Sequence, residues 1–147
     1  MDKNNEENRL GYTIGKTNWY LKTLLNKLLK EEECGITNEQ WLVLKVVEAN
    51  PGVSQTQIAE KSQKDKTNIT RILDLLEKNV CIERRRDDKD RRIYRIHITD
   101  QGKKVLESVS PVTLKTESIC KSALPPEKIT ELIESLNTIC ERVKREL

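Results

Sequence analysis

The sequence predicts a mainly α fold: a winged helix-turn-helix with a small β-hairpin wing, flanked by long N- and C-terminal dimerisation helices. Three observations predict it. Apolar residues recur at three- and four-residue steps along most of the chain, the period of an amphipathic helix. A short capped stretch, "SQTQIAEKS", is followed after a few residues by a longer helical one with a polar face. The period then changes to two in "RRIYRIHIT", around the polar turn "DDKD".

Residues 1 to about 8 are polar and are expected to be disordered. Leu10, Ile14, Thr17, Leu21, Leu24, Leu25 and Leu28 then predict a long helix over about 9–31, with Gly35 as its stop. "TNEQ" is a capping box in which Thr37 and Gln40 serve each other's backbone, and it opens a helix over about 38–49. "NPG" at 50–52 is a turn. "SQTQ" at 54–57 is a second capping box and starts a short helix over about 55–62. "QKDK" interrupts, and a helix over about 66–78 buries Ile69, Ile72, Leu73 and Leu76. "VCIERRR" and "RRIYRIHIT" form the hairpin. "TDQG" begins a helix over about 100–122, which Pro111 should kink or split. "LPPEK" places prolines where a helix start tolerates them, and the last helix runs over about 126–146.

Composition narrows the function. Of 147 residues, 35% are hydrophobic and 35% charged, which is lean for a self-sufficient core and suits helices that share a core with a second copy. No apolar run is long enough to span a membrane and the polar start carries no leader signature, so the cytoplasm is the expected location. The four cysteines form no C-x-x-C pair and no zinc-spaced cluster with His97, the only histidine, so no metal is expected and the thiols should be reduced. No triad, phosphate loop or dinucleotide fingerprint is present, and no cofactor is expected. The net charge of +3 is uneven: between Lys61 and Arg95, twelve Lys/Arg stand against seven Asp/Glu, about +5. A concentrated positive middle implies a polyanionic partner.

The element order explains that charge. A helix with its side chains nearly fills the major groove of duplex DNA, and the second helix of such a motif meets base edges with its N-terminal half. The expected contacts are Lys64, Lys66, Thr67, Asn68, Thr70 and Arg71, helped by Ser54 and Gln55 at the start of the preceding helix. The wing supplies Arg84, Arg86, Asp90, Arg91 and Arg92, whose arginines can enter a narrow, negative minor groove. The interleaved aspartates should pair with the arginines, Asp90 with Arg92 above all.

The stretch from Ser54 to Leu106 resembles the MarR family of winged-helix transcription regulators. The matching pieces are "IAEK" at 58–61, "DKTNITRILDLLEK" at 65–78, "IERR" at 82–85, "DKDRR" at 88–92 and "ITDQGKKV" at 99–105. The resemblance implies a homodimer with interlocked terminal helices, a winged-helix lobe over about 36–100, dimerisation helices over about 9–31 and 101–147, and a pseudo-palindromic DNA site. It implies a repressor released by a ligand or other signal, and it places the family's wing Asp-x-Arg on Asp90 and Arg92. One departure stands out. Where the family has Gly after the recognition helix, "KNVCI" has Val80. A β-branched residue resists positive φ, so Asn79 is expected to take the left-handed position instead.

Other residues have two readings. Tyr12, Trp19, Tyr20 and Trp41 either fill a dimer core or line a cleft for a small aromatic or anionic effector. Cys34, expected near the surface, is the candidate for a redox-sensing thiol, while Cys81 and Cys140 read as packed. His97 reads as a strand residue rather than a ligand or base. The competing functional class is a winged-helix protein-interaction module that reads no DNA.

Overall fold

The computed structural model describes residues 9–62 and 64–147. In chain order the elements are α1 (Leu10–Glu31), α2 (Asn38–Ala49), β1 (Val53–Ser54), α3 (Gln55–Ser62), α4 (Lys66–Lys78), β2 (Ile82–Arg86), β3 (Tyr94–Ile98), α5 (Asp100–Lys121) and α6 (Pro126–Lys144). The described chain divides into two compact units, one ending at Val112 and the other beginning at Thr113. The division falls inside α5, just after Pro111, yet α5 is continuous there and is not split.

The first unit holds the core. Leu25, Leu28 and Leu29 of α1 pack with Val43, Leu44 and Val47 of α2, with Ile58 of α3, and with Leu106, Val109 and Val112 of α5. From α4 the stripe Ile69, Ile72, Leu73 and Leu76 is sealed from solvent. Each such side chain contributes about 1.5–3 kcal/mol by leaving water. That burial holds the opposite, polar face of α4 outward.

Both capping boxes form. Thr37 Oγ1 accepts the Gln40 N–H at 3.3 Å while Gln40 Oε1 accepts the Thr37 N–H at 3.0 Å. Ser54 and Gln57 repeat the pattern at the start of α3. The sheet has three strands in the order β1-β3-β2, all antiparallel. The two-residue β1 pairs Val53 with Ile96 and Ser54 with Arg95, which ties the start of α3 to the wing.

Two helix ends differ from expectation. α1 closes at Glu33, not at Gly35: the Cys34 N–H reaches the Leu29 carbonyl at 3.0 Å, the Glu33 N–H reaches Lys30 at 3.1 Å, and Glu33 has φ +51°. Gly35, at φ +68°, then makes a second reversal. At the end of α4, Asn79 stays near-helical (φ −86°, ψ 10°) and Val80 takes φ +58°. The expectation for Asn79 was wrong, and the reason is hydrogen-bond register. The Cys81 N–H bonds the Leu76 carbonyl at 2.8 Å and the Val80 N–H bonds Glu77 at 2.9 Å, the paired bonds of a Schellman end. That motif fixes which residue must be left-handed, and Cys81 must turn inward directly after it, so the strain falls on Val80.

α5 begins on this same corner. Thr99 Oγ1 accepts the Gly102 N–H at 3.0 Å and donates to the Val80 carbonyl at 2.5 Å, and the Thr99 N–H bonds Cys81 O at 3.1 Å. Gly102 sits so close to β2 that an added Cβ would lie 2.2 Å from Cys81 O. In the second unit, α6 starts at Pro126 as predicted and buries none of its residues. Cys140, expected to pack, is exposed, as are Leu132, Ile133, Leu136 and Val143.

Candidate nucleic-acid interface

α4 is launched by Asp65, whose carboxylate accepts the Asn68 N–H at 2.9 Å. Lys66, Thr67, Thr70 and Arg71 are then exposed and Asn68 is half-buried. Thr70 Oγ1 donates to the Lys66 carbonyl at 2.9 Å and accepts from the Gln55 side-chain amide, so α3 and α4 meet through two of the expected contact residues. Arg71 donates to Asn68 Oδ1 at 3.0 Å. Lys64 is placed differently from the rest. Its ammonium lies 3.1 Å from Glu39 Oε1 and its side chain is only 16% exposed, so it ties the turn between α3 and α4 to α2 rather than standing in the open.

A hollow of about 240 Å³ gathers three separate segments: Ser54, Gln55 and Thr56 at the start of α3, Lys66 at the start of α4, and Arg92, Ile93 and Tyr94 at the base of the wing. Four of these residues are expected contacts, brought together from positions up to 38 apart in sequence by the β1–β3 pairing. Thr56, Ile93 and Tyr94 were not anticipated. The period-two pattern could have placed Tyr94 on the face opposite Arg95, but nothing local points it toward α3.

The wing's six arginines fall into two groups. Arg84 is turned back onto α4, 2.6 Å from both Asp74 Oδ1 and Glu77 Oε2, with a side chain 16% exposed. Burial works against its charge, but the two carboxylates outweigh that and hold its pKa above the ordinary value. In this structure it braces β2 against α4. Arg85 pairs with Glu83. Arg95 Nε pairs with Asp87 at 2.7 Å and Nη1 reaches the Gly52 carbonyl at 3.4 Å.

Arg86, Arg91 and Arg92 have no ion-pair partner among the described residues and are exposed; Arg86 sits 5.7 Å from the centre of the Tyr94 ring. The expected Asp90–Arg92 ion pair is corrected. Asp90 Oδ1 accepts the backbone N–H of Arg92 at 3.0 Å, which shapes the turn and leaves the guanidinium uncommitted. The pair that does form is Asp87–Arg95. The Arg95 bond, followed by the N–H groups of Asp90 and Lys89, lowers the Asp87 pKa from 3.8 to about 2.

The remaining candidates disperse. Trp19 and Tyr20 meet edge to face at 4.8 Å on α1, both exposed, as is Tyr12, whose ring lies 5.4 Å from the Lys16 ammonium. Trp41 packs against the first unit's core. An open hollow of about 570 Å³ at the α1–α2 corner is lined instead by Asn26, Leu29, Lys30, Glu33, Gly35, Ile36, Thr37 and Gln40. Cys34 is buried, with its thiol 3.6 Å from the Ser108 carbonyl, which overturns its expected surface position. Cys81 is buried as expected, and burial pushes its thiol pKa up. His97 is half-buried in β3. Among the described residues no cluster could hold a metal ion, and no helix is long and apolar enough to cross a membrane.

Comparison with known proteins converges on the same segment. The model of the MarR family matches residues 36–94. The chain is 35% identical over 88 residues to the transcriptional repressor MprA of Escherichia coli (strain K12), covering 58% of this chain and 49% of that protein. It therefore spans about half the length of that curated relative. It is 28% identical over 102 residues to the HTH-type transcriptional regulator YkoM of Bacillus subtilis (strain 168), covering 69% and 66%. Among solved structures, the transcriptional repressor CouR bound to a 23-mer DNA duplex superimposes with a TM-score of 0.85 at 25% identity, over 95% of this chain and 98% of that one. The transcriptional regulator SlyA gives a TM-score of 0.79 at 28% identity, over 91% and 93%.

Proposed function

We infer that this chain, which belongs to the MarR family, is a sequence-specific DNA-binding transcriptional regulator, a homodimeric repressor released by a small ligand or another signal. The observation that carries this reading is the convergence at one surface of the polar start of α4, the start of α3 and the base of the wing, with Lys66 and Arg92 in one hollow. Ser54, Gln55 and Lys66 are suited to hold phosphates, and Thr67, Asn68, Thr70 and Arg71 to meet base edges. Arg86, Arg91 and Arg92 extend the surface toward the minor groove, and Asp90 fixes the turn that presents them.

Dimerisation is supported by apolar surface that a single copy leaves open. Leu10, Ile14, Trp19 and Leu21 of α1 are exposed, and so is the stripe of α6. In this reading residues 36–100 form the DNA-binding lobe and the terminal helices the dimer contact. Two recognition helices then need to sit about 34 Å apart, one turn of DNA. The hollow at the α1–α2 corner has a volume suited to a small effector. A cytoplasmic location goes with this role.

Selection of duplexes from a random pool, repeated with Arg92→Ala, tests the reading. A two-fold symmetric motif, bound less tightly by the variant, is the expected result. No enrichment at low salt would overturn it in favour of a protein-interaction module.

A further inference from the structure

Glu39 lies in the first turn of α2, outside the segments that form the proposed DNA surface, yet it faces them. Its Oε1 is 3.1 Å from Lys64 Nζ and its Oε2 is 3.7 Å from Arg71 Nη2. Arg71 is also held by Asn68 at 3.0 Å. The two side chains of α4 best able to read bases, Asn68 and Arg71, are thus engaged with each other, and a carboxylate partly neutralises the cation.

We propose that Glu39 is a specificity-determining residue: it restrains Arg71 from backbone phosphates, so that a duplex must offer Arg71 a base contact to displace it. This rests on the DNA-binding reading above. The physical argument turns on what each kind of contact shares among sequences. Phosphates are present on every duplex, whereas a bidentate acceptor pair on a base is present only on some. The Glu39–Arg71 pair is long and solvent-exposed, 41% and 63% at the two side chains, so it is weak. A weak restraint is enough to cancel a phosphate contact and too little to cancel a good base contact. An arginine already balanced by a carboxylate also adds less to counterion release, which flattens the salt dependence of non-specific binding.

The Glu39–Lys64 contact gives the same carboxylate a second, structural duty. Glu39→Gln separates the two, because the amide oxygen still accepts from Lys64 while the charge is removed. Glu39 makes neither of the two Thr37–Gln40 capping bonds, so α2 keeps them.

The test uses the full chain, the operator from selection and a scrambled duplex of equal length, each titrated over a range of salt. Glu39→Gln is expected to tighten binding to the scrambled duplex about two- to fivefold, to steepen its salt slope by about one, and to change the operator less, so that the ratio of the two affinities falls. In an Arg71→Ala background the same substitution should give less than half that gain. An unchanged affinity ratio, or an equal gain with and without Arg71, would overturn the inference while leaving DNA binding intact. A wild-type chain that binds neither duplex would overturn the DNA reading and this inference together.

Discussion

Gly102→Ala should destabilise the first unit by about 2–4 kcal/mol. The added Cβ would lie 2.2 Å from the Cys81 carbonyl oxygen and 2.7 Å from Ile98 Cγ1, where ordinary contact begins at 3.4 Å. The nearest atom is backbone, so no side-chain rotation relieves it. Either α5 retreats from β2 or the Cys81 peptide moves. Overpacking of this kind costs about 1–3 kcal/mol. The displacement also strains the Thr99 bonds to Cys81 and Val80, at 3.1 and 2.5 Å, each worth about 0.5–1.5 kcal/mol. Against this, alanine gains about 0.5–1 kcal/mol over glycine inside a helix. At about 2–4 °C per kcal/mol for a chain of this size, the melting midpoint should fall by roughly 5–15 °C. Far-ultraviolet circular dichroism at fixed protein concentration measures it, since the midpoint of any self-associating chain depends on concentration. A midpoint equal to or above that of the wild type would show that α5 is not held against Cys81 and would refute the packing argument.

Val80→Gly should stabilise the fold, because glycine is unstrained at φ +58°, and Asn79→Gly should destabilise it, because Asn79 is near-helical; chemical denaturation of the pair tests the sign of each. Arg84→Met should lower stability by about 0.5–1 kcal/mol by removing the brace to Asp74 and Glu77, which water can still solvate, and should leave operator binding nearly unchanged, whereas Arg92→Met should leave stability unchanged and weaken operator binding by about 1–3 kcal/mol. The opposite pattern in paired melting and binding experiments would exchange their roles. Asp87 titrates with a depressed pKa in the folded chain, so its contribution to stability is complete above pH 3.8 and is lost as pH falls through about 2. The stability difference between wild type and Asp87→Asn should therefore shrink toward zero across that window, and a difference that grows on acidification would contradict the Asp87–Arg95 assignment. Native-state thiol labelling should leave Cys34 and Cys81 unmodified until the chain is unfolded, a result that rapid labelling of Cys34 would overturn.

The helices were legible because their signals are local. A capping box occupies four residues, and Thr37 with Gln40 or Ser54 with Gln57 carry the whole instruction at each start. The apolar stripe of α4 needs only its own period to be seen. Features that depend on a residue's position across the fold were not legible. β1 is two residues long and exists only because β3 presents its free edge there. The burial of Cys34 follows from α5 arriving at Ser108, 74 positions later. The left-handed residue after α4 could be narrowed to 79 or 80 from the sequence, and the preference of Asn for that conformation pointed to 79. Tertiary register prevailed over propensity: the chain must be turned inward by Cys81, and the Schellman bonds put the strain on Val80.

The same distinction governs the charge run that marks the site. In sequence the arginines of "RRRDDKDRRIYR" look equivalent, and their alternation with aspartates suggests neighbours pairing with neighbours. The fold allots them by strand face and by reach. Arg84 and Arg86 share one side of β2 in the period-two sense, yet Arg84 lies beside α4 and meets Asp74 and Glu77, while Arg86 lies past the helix and meets only the Tyr94 ring. Asp87 lies one position beyond the Arg86–Tyr94 pair, where its N–H bonds the Ile93 carbonyl at 2.9 Å, and from there its carboxylate reaches back diagonally to Arg95, the partner of Arg85. Asp90, two residues from Arg92, is used up by a backbone N–H. The aspartates of this turn therefore do not pair with the arginines they adjoin, although Glu83 on β2 does pair with Arg85. Asp87 and Asp90 fix the neck and the turn, and the arginines without an ion pair among the described residues, Arg86, Arg91 and Arg92, are left exposed to solvent. A charge-reversal series can test that division. Lysine at Asp87 should cost stability and binding together, whereas lysine at Asp88, which has no hydrogen-bond role among the described contacts, should leave the fold intact and tighten non-specific binding.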